Sequence, residues 1–418
     1  MQLWERAWSR ADESFAAIRH EALLARPLPG VAPLIYFLGH SAAQCWSALV
    51  RPAVEHSSSR PEFEDLFGRG LEGLDDTDPG AHPERASAAR WPRAEEVLVW
   101  RDEVRRAVRT LLANRPGDNS ALGDAARRCL EHELLAQERV LAMVQHLDPA
   151  FCQHVSDPRA ASLSTSGVAR RVRVPAGEAR LGVSLEECPW ADAHEHPERR
   201  VSVRGFTVEA LPVVNGEFLE FVESGGYERA EHWQRADWSW RAQLGLRHPS
   251  TWQRSGGAWT WRGPFQEHPL TRVFDWPVSV SLAEARAFAH FKGARLLNEA
   301  EWQRAAHAGP GNTWRRFPWG AAPLDPGRAR WGQPRLGPSP VGSHPAGASA
   351  FGVQELVGNG WEWVDDPQRP ASDPEPNEGV LLGASWASDA ALVRPGLRRR
   401  TSAHDAWCFT KFRLVWAD

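Results

Sequence analysis

The chain changes texture near residue 155, and no other feature of its 418 residues restricts the fold as strongly. Before that point apolar residues recur at helical spacing. After it come short strand-like runs, glycine turns and seventeen of the 22 tryptophans. So many large aromatic side chains predict a domain with little regular structure whose core is filled by indole rings. A chain of this length also exceeds one small core. The expected organisation is an α+β protein: a helical bundle over residues 1–154, a small polar linker (VSDPRAASLSTSGVA) at 155–169, and a second domain over 170–418.

Four helices are expected in the first domain. Residues 2–24 are amphipathic and are broken by Pro27, Pro29, Gly30 and Pro33. The apolar run LIYFLGHSAAQCWSALV follows and contains His40. Residues 55–92 have turn composition without a period and are expected to be a long connection. A third helix carries Val97, Trp100, Val104, Val108 and Leu111 at steps of three and four, and RPGDN stops it. In the fourth, residues 127–147, Cys129, His132, Ala136, Met143 and Leu147 line one stripe, with His132 inside it.

A histidine in an inward stripe is either a hydrogen-bonded core residue or a ligand. A metal-binding helix would place a second histidine four residues on, because i and i+4 are neighbours. That position is Ala136. Facing helices of a small bundle can still bring His40 and His132 together, which keeps a shared metal site open.

In the second domain, VRVPAGEARLG and RRVSVRGFTVE read as strands. Asn215 is expected to cap a helix ending at Gly225 or Gly226. Two capping boxes open further helices, Ser281 with Glu284 and Asn298 with Glu301, which close at Gly293 and Gly309. Trp361, Trp386 or Trp407 could present an aromatic face to a quaternary ammonium group, the alternative being simple packing. A formal net charge of −4 provides no broad field for nucleic acid or an anionic membrane. Five cysteines without C-x-x-C spacing argue against disulfide frameworks and zinc knuckles. The amino terminus is charged from its fifth residue and no apolar run approaches ~18 residues, so a cytoplasmic protein is expected.

The motifs LPVVNGEFLEFVESGGY, GARLLNEAEWQRAA, FPWG, FGVQELVGNGWEW, LLGASW and KFRLV occur in an order that resembles the formylglycine-generating-enzyme (sulfatase-modifying) domain, a fold of the C-type-lectin-like kind. PLIYFLGH and LEHELLAQE look like a DinB-type helical domain. Together the order is similar to the sulfoxide synthases of ergothioneine and ovothiol biosynthesis and their selenoneine-synthase relatives. The resemblance implies one non-haem Fe(II) held by three histidines, which activates O₂ to join a thiol or selenol to an amino-acid betaine, N-trimethylhistidine. On this chain the first two ligands fall on His40 and His132 and the third on Ala136, whose methyl cannot coordinate. The substrate-contacting Asn-Trp pair falls near Arg399 and Arg400, with Trp407 nearby, and guanidinium groups would repel a trimethylammonium group. The segment between GNGWEW and LLGASW carries no tyrosine where these enzymes keep a proton donor.

These losses leave open whether the chain is an enzyme. Gln44 or Glu138 could replace the missing donor. Alternatively, Arg398, Arg399 and Arg400 could hold an anionic ligand or an acidic partner on a scaffold that no longer performs redox chemistry. Cys408 lacks the partner that cysteine-based formylglycine formation requires. FGVQELVGNGWEW also resembles a structural calcium loop, with Glu355, Gly358, Gly360 and Glu362 as oxygen donors. Carboxylates hydrogen-bonded to loop amides are the alternative.

Overall fold

The apolar stripe near the amino terminus folds as α1 (Gln2–Ala16), burying Trp4, Ala7, Trp8 and Ala11. It is shorter than the periodicity predicts. Ile18 leaves the helix to bridge Cys152, and the Arg19 amide donates to the Phe151 carbonyl, so the chain is extended where helix was expected. A 3₁₀ turn at His20–Leu24 follows. The computed structural model describes residues 1–27, 31–54, 58–68, 91–113, 121–153, 171–332, 337–365, 377–406 and 408–416. These divide into two units, Met1–His154 and Val155–Asp418. The stretch expected as a linker lies outside the described residues.

In the first unit α2 (Leu34–Cys45) is buried along almost its whole length and continues as a π-helical turn, Trp46–Val50. Part of the expected long connection is a short helix, α3 (Pro61–Phe67). Pro61 opens it and Glu62 and Glu64 sit in its first turn, where the helix dipole favours them. α4 (Ala94–Ala113) and α5 (Ala121–Val144) complete the bundle. α2 packs against α3, α4 and α5, while α1 packs against α5. A Cβ on Gly39 would stand 2.7 Å from the Phe67 ring. Glycine there lets α3 press onto α2 immediately beside His40.

In the second unit β1 (Arg171–Val174) pairs with β4 (Phe206–Glu209), and β2 (Gly177–Leu181) pairs with β3 (Arg199–Val203). α6 (Asn215–Glu223) begins one residue earlier than expected. Asn215 is its first residue and donates to the Val273 carbonyl at 2.8 Å, while the Glu217 carboxylate accepts from the Val214 amide. α7 (Arg235–Leu244) and a sheet of β5 (Trp252–Ser255), β6 (Ala258–Arg262) and β7 (Glu267–Pro269) carry no motif that announces them. Both capping boxes form, opening α8 (Leu282–Phe291) at Ser281 and α9 (Glu299–His307) at Asn298.

The remaining strands are β8 (Trp361–Val364), β9 (Glu378–Leu382), β10 (Arg398–Ser402), β11 (Thr410–Lys411) and β12 (Val415–Trp416). They form a sheet in the order β10-β9-β8-β11 and extend the first pair to β1-β4-β12. The unit is therefore mixed helix and sheet, and among the described residues no strand exceeds five residues. Val174, Val208, Trp302, Leu356, Val364 and Val415 lie in its core. Among the described residues no helix is long and apolar enough to cross a membrane.

Candidate metal centre and the residues around it

The structure brings His40 of α2 and His132 of α5 together, with their Nε2 atoms 3.2 Å apart. His40 is fully buried, and its Nδ1 lies 2.7 Å from the Phe67 carbonyl and 2.8 Å from the Tyr36 hydroxyl oxygen. A carbonyl can only accept, so His40 carries its proton on Nδ1 and presents an unshared pair at Nε2. Tyr36 stacks on the imidazole at 4.8 Å, fixing the plane of the ring. Burial pushes His40 down to about 4, with the Phe67 hydrogen bond opposing, and burial together with the neighbouring His40 pushes His132 down to about 3. Both rings are therefore neutral at pH 7, the state a metal requires.

The spacing fits two donors to one ion. With an imidazole nitrogen about 2.1 Å from the metal, a 3.2 Å separation subtends about 100°, between tetrahedral and octahedral angles. The third donor does not fit. Ala136 is buried and lines a cavity of about 30 Å³ with Phe37, Cys45, Glu133 and Gln137. Neither expected replacement takes its place. Gln44 donates its amide to the Gly68 carbonyl at 3.1 Å, beside the carbonyl that holds His40 Nδ1. Glu138 lies roughly 240° around α5 from His132, on another face. Glu133 accepts from Gln137 at 2.7 Å. Among the described residues, the only three-membered group of histidine, cysteine or carboxylate ligands is Asp192, His194 and Glu195, in the other unit.

A metal-free arrangement also satisfies the pair. His132 Nε2–H can donate to His40 Nε2, whose Nδ1–H donates to Phe67. The buried His132 Nδ1, which has no hydrogen-bond partner, is then an acceptor rather than a stranded N–H. Tyr36 could have been found from sequence, since it precedes His40 by one helical turn. The Phe67 carbonyl could not, because it comes from a seven-residue helix inside an apparent loop.

Strand geometry separates the three arginines. Alternate residues of β10 point to opposite faces, so Arg398 and Arg400 share one and Arg399 takes the other. Arg398 pairs with Glu299 at 2.9 Å, and Arg400 lies 3.7 Å from Glu378. Arg399 covers the ring of the fully buried Trp361 at 5.4 Å. Trp386 is buried against Phe409. Arg399 and Arg400 thus point to opposite faces of β10, and the Trp361 face meets a guanidinium of the chain itself. Trp407 lies outside the described residues. None of the five cysteines is joined in a disulfide.

The expected calcium donors are also engaged. Glu355 accepts from the Gly342 amide at 2.9 Å and from Asn359 Nδ2 at 3.0 Å. Glu362 pairs with Arg413 through both oxygens, and the carbonyls of Gly358 and Gly360 accept from Lys411.

The profile of the sulfatase-modifying factor enzyme 1-like domain matches residues 158–418. The chain belongs to this family. Among its relatives, hercynine oxygenase of Mycobacterium tuberculosis is 35% identical over 251 residues, 56% of this chain and 58% of that protein. Ergothioneine biosynthesis protein 1 of Neurospora crassa is 25% identical over 324 residues, 70% of this chain and 36% of that protein. Inactive C-alpha-formylglycine-generating enzyme 2 of Bos taurus is 31% identical over 244 residues, 52% of this chain and 77% of that protein. The chain spans about three fifths of the length of the hercynine oxygenases it matches.

Proposed function

We propose that this sulfatase-modifying-factor-like chain, with a DinB-type bundle before its C-type-lectin-like domain, descends from the oxygen-dependent synthases that join sulfur or selenium to N-trimethylhistidine. It keeps two of the three histidines of their Fe(II) site in a cytoplasmic protein. The reading rests on one observation: two imidazole nitrogens converge at 3.2 Å while the third position carries the methyl of Ala136. The relatives named for hercynine oxygenation and ergothioneine biosynthesis support the substrate class, an amino-acid betaine with a thiol or selenol. Fe(II), when bound, would supply redox chemistry toward O₂. His40 and His132 would hold it, while Phe67 and Tyr36 fix the tautomer and plane of His40. With two neutral donors and no carboxylate, binding is weak, and the ancestral reaction is absent or much reduced.

A second reading, a non-catalytic binding or regulatory protein on the same scaffold, is favoured by the metal-free hydrogen-bond chain from His132 through His40 to Phe67. Anaerobic reconstitution with Fe(II), metal analysis and mass spectrometry of reactions with N-trimethylhistidine, a thiol or selenol and O₂ test both. The first reading expects substoichiometric iron that disappears in His132→Ala; the second expects none in either protein. Near-stoichiometric iron with rapid product formation overturns both.

A further inference from the structure

The loop from Glu355 to Gly360 turns oxygen atoms inward. Glu355 (φ 55°), Gly358 (φ 75°) and Asn359 (φ 61°) all occupy the left-handed region, which swings successive carbonyls to one side. At Gly358 only glycine fits, since a Cβ would stand 2.2 Å from the Arg330 carbonyl oxygen. The carbonyls of Gly358 and Gly360 and the carboxylate of Glu362 face one point, with buried Glu355 close by. Such an oxygen set suits a hard divalent cation.

The point is filled from within the chain. Lys411 Nζ donates to the Gly358 carbonyl at 2.7 Å and to the Gly360 carbonyl, and lies 4.0 Å from Glu362 Oε2. Parallel pairing of β11 with β8 puts Lys411 opposite Glu362, so the strand register delivers the ammonium to the loop. Lys411 is fully buried and is one of only two lysines in the chain. Arg413, also buried, takes both oxygens of Glu362 and the carbonyls of Ala210 and Gln354. Two buried cations thus face two buried carboxylates, and the cluster is neutral. A divalent ion would add two uncompensated charges beside an ammonium already in contact with the same oxygens. Calcium does not fit this loop as it stands.

We infer that Lys411 is the resident cation of the loop: a tethered ammonium takes the position of a divalent metal, and the fold around Gly358–Val364 is independent of calcium. Lysine suits the task because its compact charge carries three donors that can serve two carbonyls at once, which a planar guanidinium could not do in the same space.

The experiment uses the full chain with Tb³⁺ and Ca²⁺ as probes, exciting tryptophan because Trp361 and Trp363 flank the loop on β8. Wild-type protein is expected to hold no calcium after purification through calcium-containing buffer, to give no tryptophan-sensitised Tb³⁺ emission, and to melt at one temperature in EDTA and in millimolar calcium. Lys411→Ala is expected to melt several degrees lower in EDTA, to recover with calcium, and to gain sensitised emission severalfold. Lys411→Met keeps the methylene stem and serves if the alanine variant does not fold. One equivalent of calcium in the wild type that disappears in Glu355→Gln overturns the inference. So does a folded Lys411 variant that melts like the wild type in EDTA and gains no emission.

Discussion

Replacing Ala136 by histidine tests whether the histidine pair is two thirds of an iron site. The added ring enters a cavity of about 30 Å³, room for one or two waters rather than a five-membered ring, so metal-free Ala136→His is over-packed. Over-packing costs ~1–3 kcal/mol. Iron offsets this if the third imidazole joins the other two. At a free concentration of about 100 times Kd, binding stabilises the folded state by ~2.7 kcal/mol. For a unit of this size that is roughly 5–10 °C in Tm. Anaerobic differential scanning with and without Fe(II), alongside metal analysis, should give a low metal-free Tm that recovers in the variant and little change in the wild type. If the variant binds no more iron than the wild type and its Tm ignores Fe(II), the proposed descent from a three-histidine centre fails.

Two further measurements follow from the same geometry. Burial holds His40 at about 4 in the folded chain against an unperturbed 6.5, so the unfolded state binds more protons. The associated stability is present above pH 6.5 and is lost as pH falls toward 4, by about 2 kcal/mol at pH 5. Denaturant unfolding of metal-free protein at pH 7 and pH 5 should show a loss smaller by about that amount in His40→Gln than in the wild type, the remainder coming from other buried histidines such as His132; equal losses would remove His40 as a cause. Gly358→Ala should be much more costly than Gly256→Ala. Both have positive φ, worth ~1–2 kcal/mol for a non-glycine residue, but only Gly358 places a Cβ 2.2 Å from a carbonyl oxygen, whereas Gly256 opens onto space. Matching midpoints for the two variants would contradict the steric argument.

What could be read from the sequence was local. Ser281 with Glu284 and Asn298 with Glu301 announce their helices because a cap and its partner lie three residues apart. Strand-forming runs at Arg171–Val174 and Phe206–Glu209 likewise identify themselves, although nothing local says that they pair with each other. What could not be read was non-local. The lysine at 411 opens the KFRLV motif, but nothing in that motif announces its partner, and its role depends on a parallel register with β8. Arg399 and Arg400 look alike in sequence and are parted by the pleat. Asn215 shows the limit even of local signals: it has the chemistry of a cap, but the Val214 amide and Glu217 complete that turn and Asn215 reaches across to Val273.

The pairing of β12 with β4 has a consequence for how the polypeptide is made. Val415 and Trp416 lie beside Val208 and Thr207, so the sheet begun at Arg171 is finished only after the whole intervening domain has been made. Arg413 and Lys411, which neutralise the buried carboxylates, arrive equally late. The helical unit contains its own partners and can form while translation continues. The second unit must wait, leaving one edge of β4 unpaired until β12 has been made, which makes it the part most in need of chaperone protection.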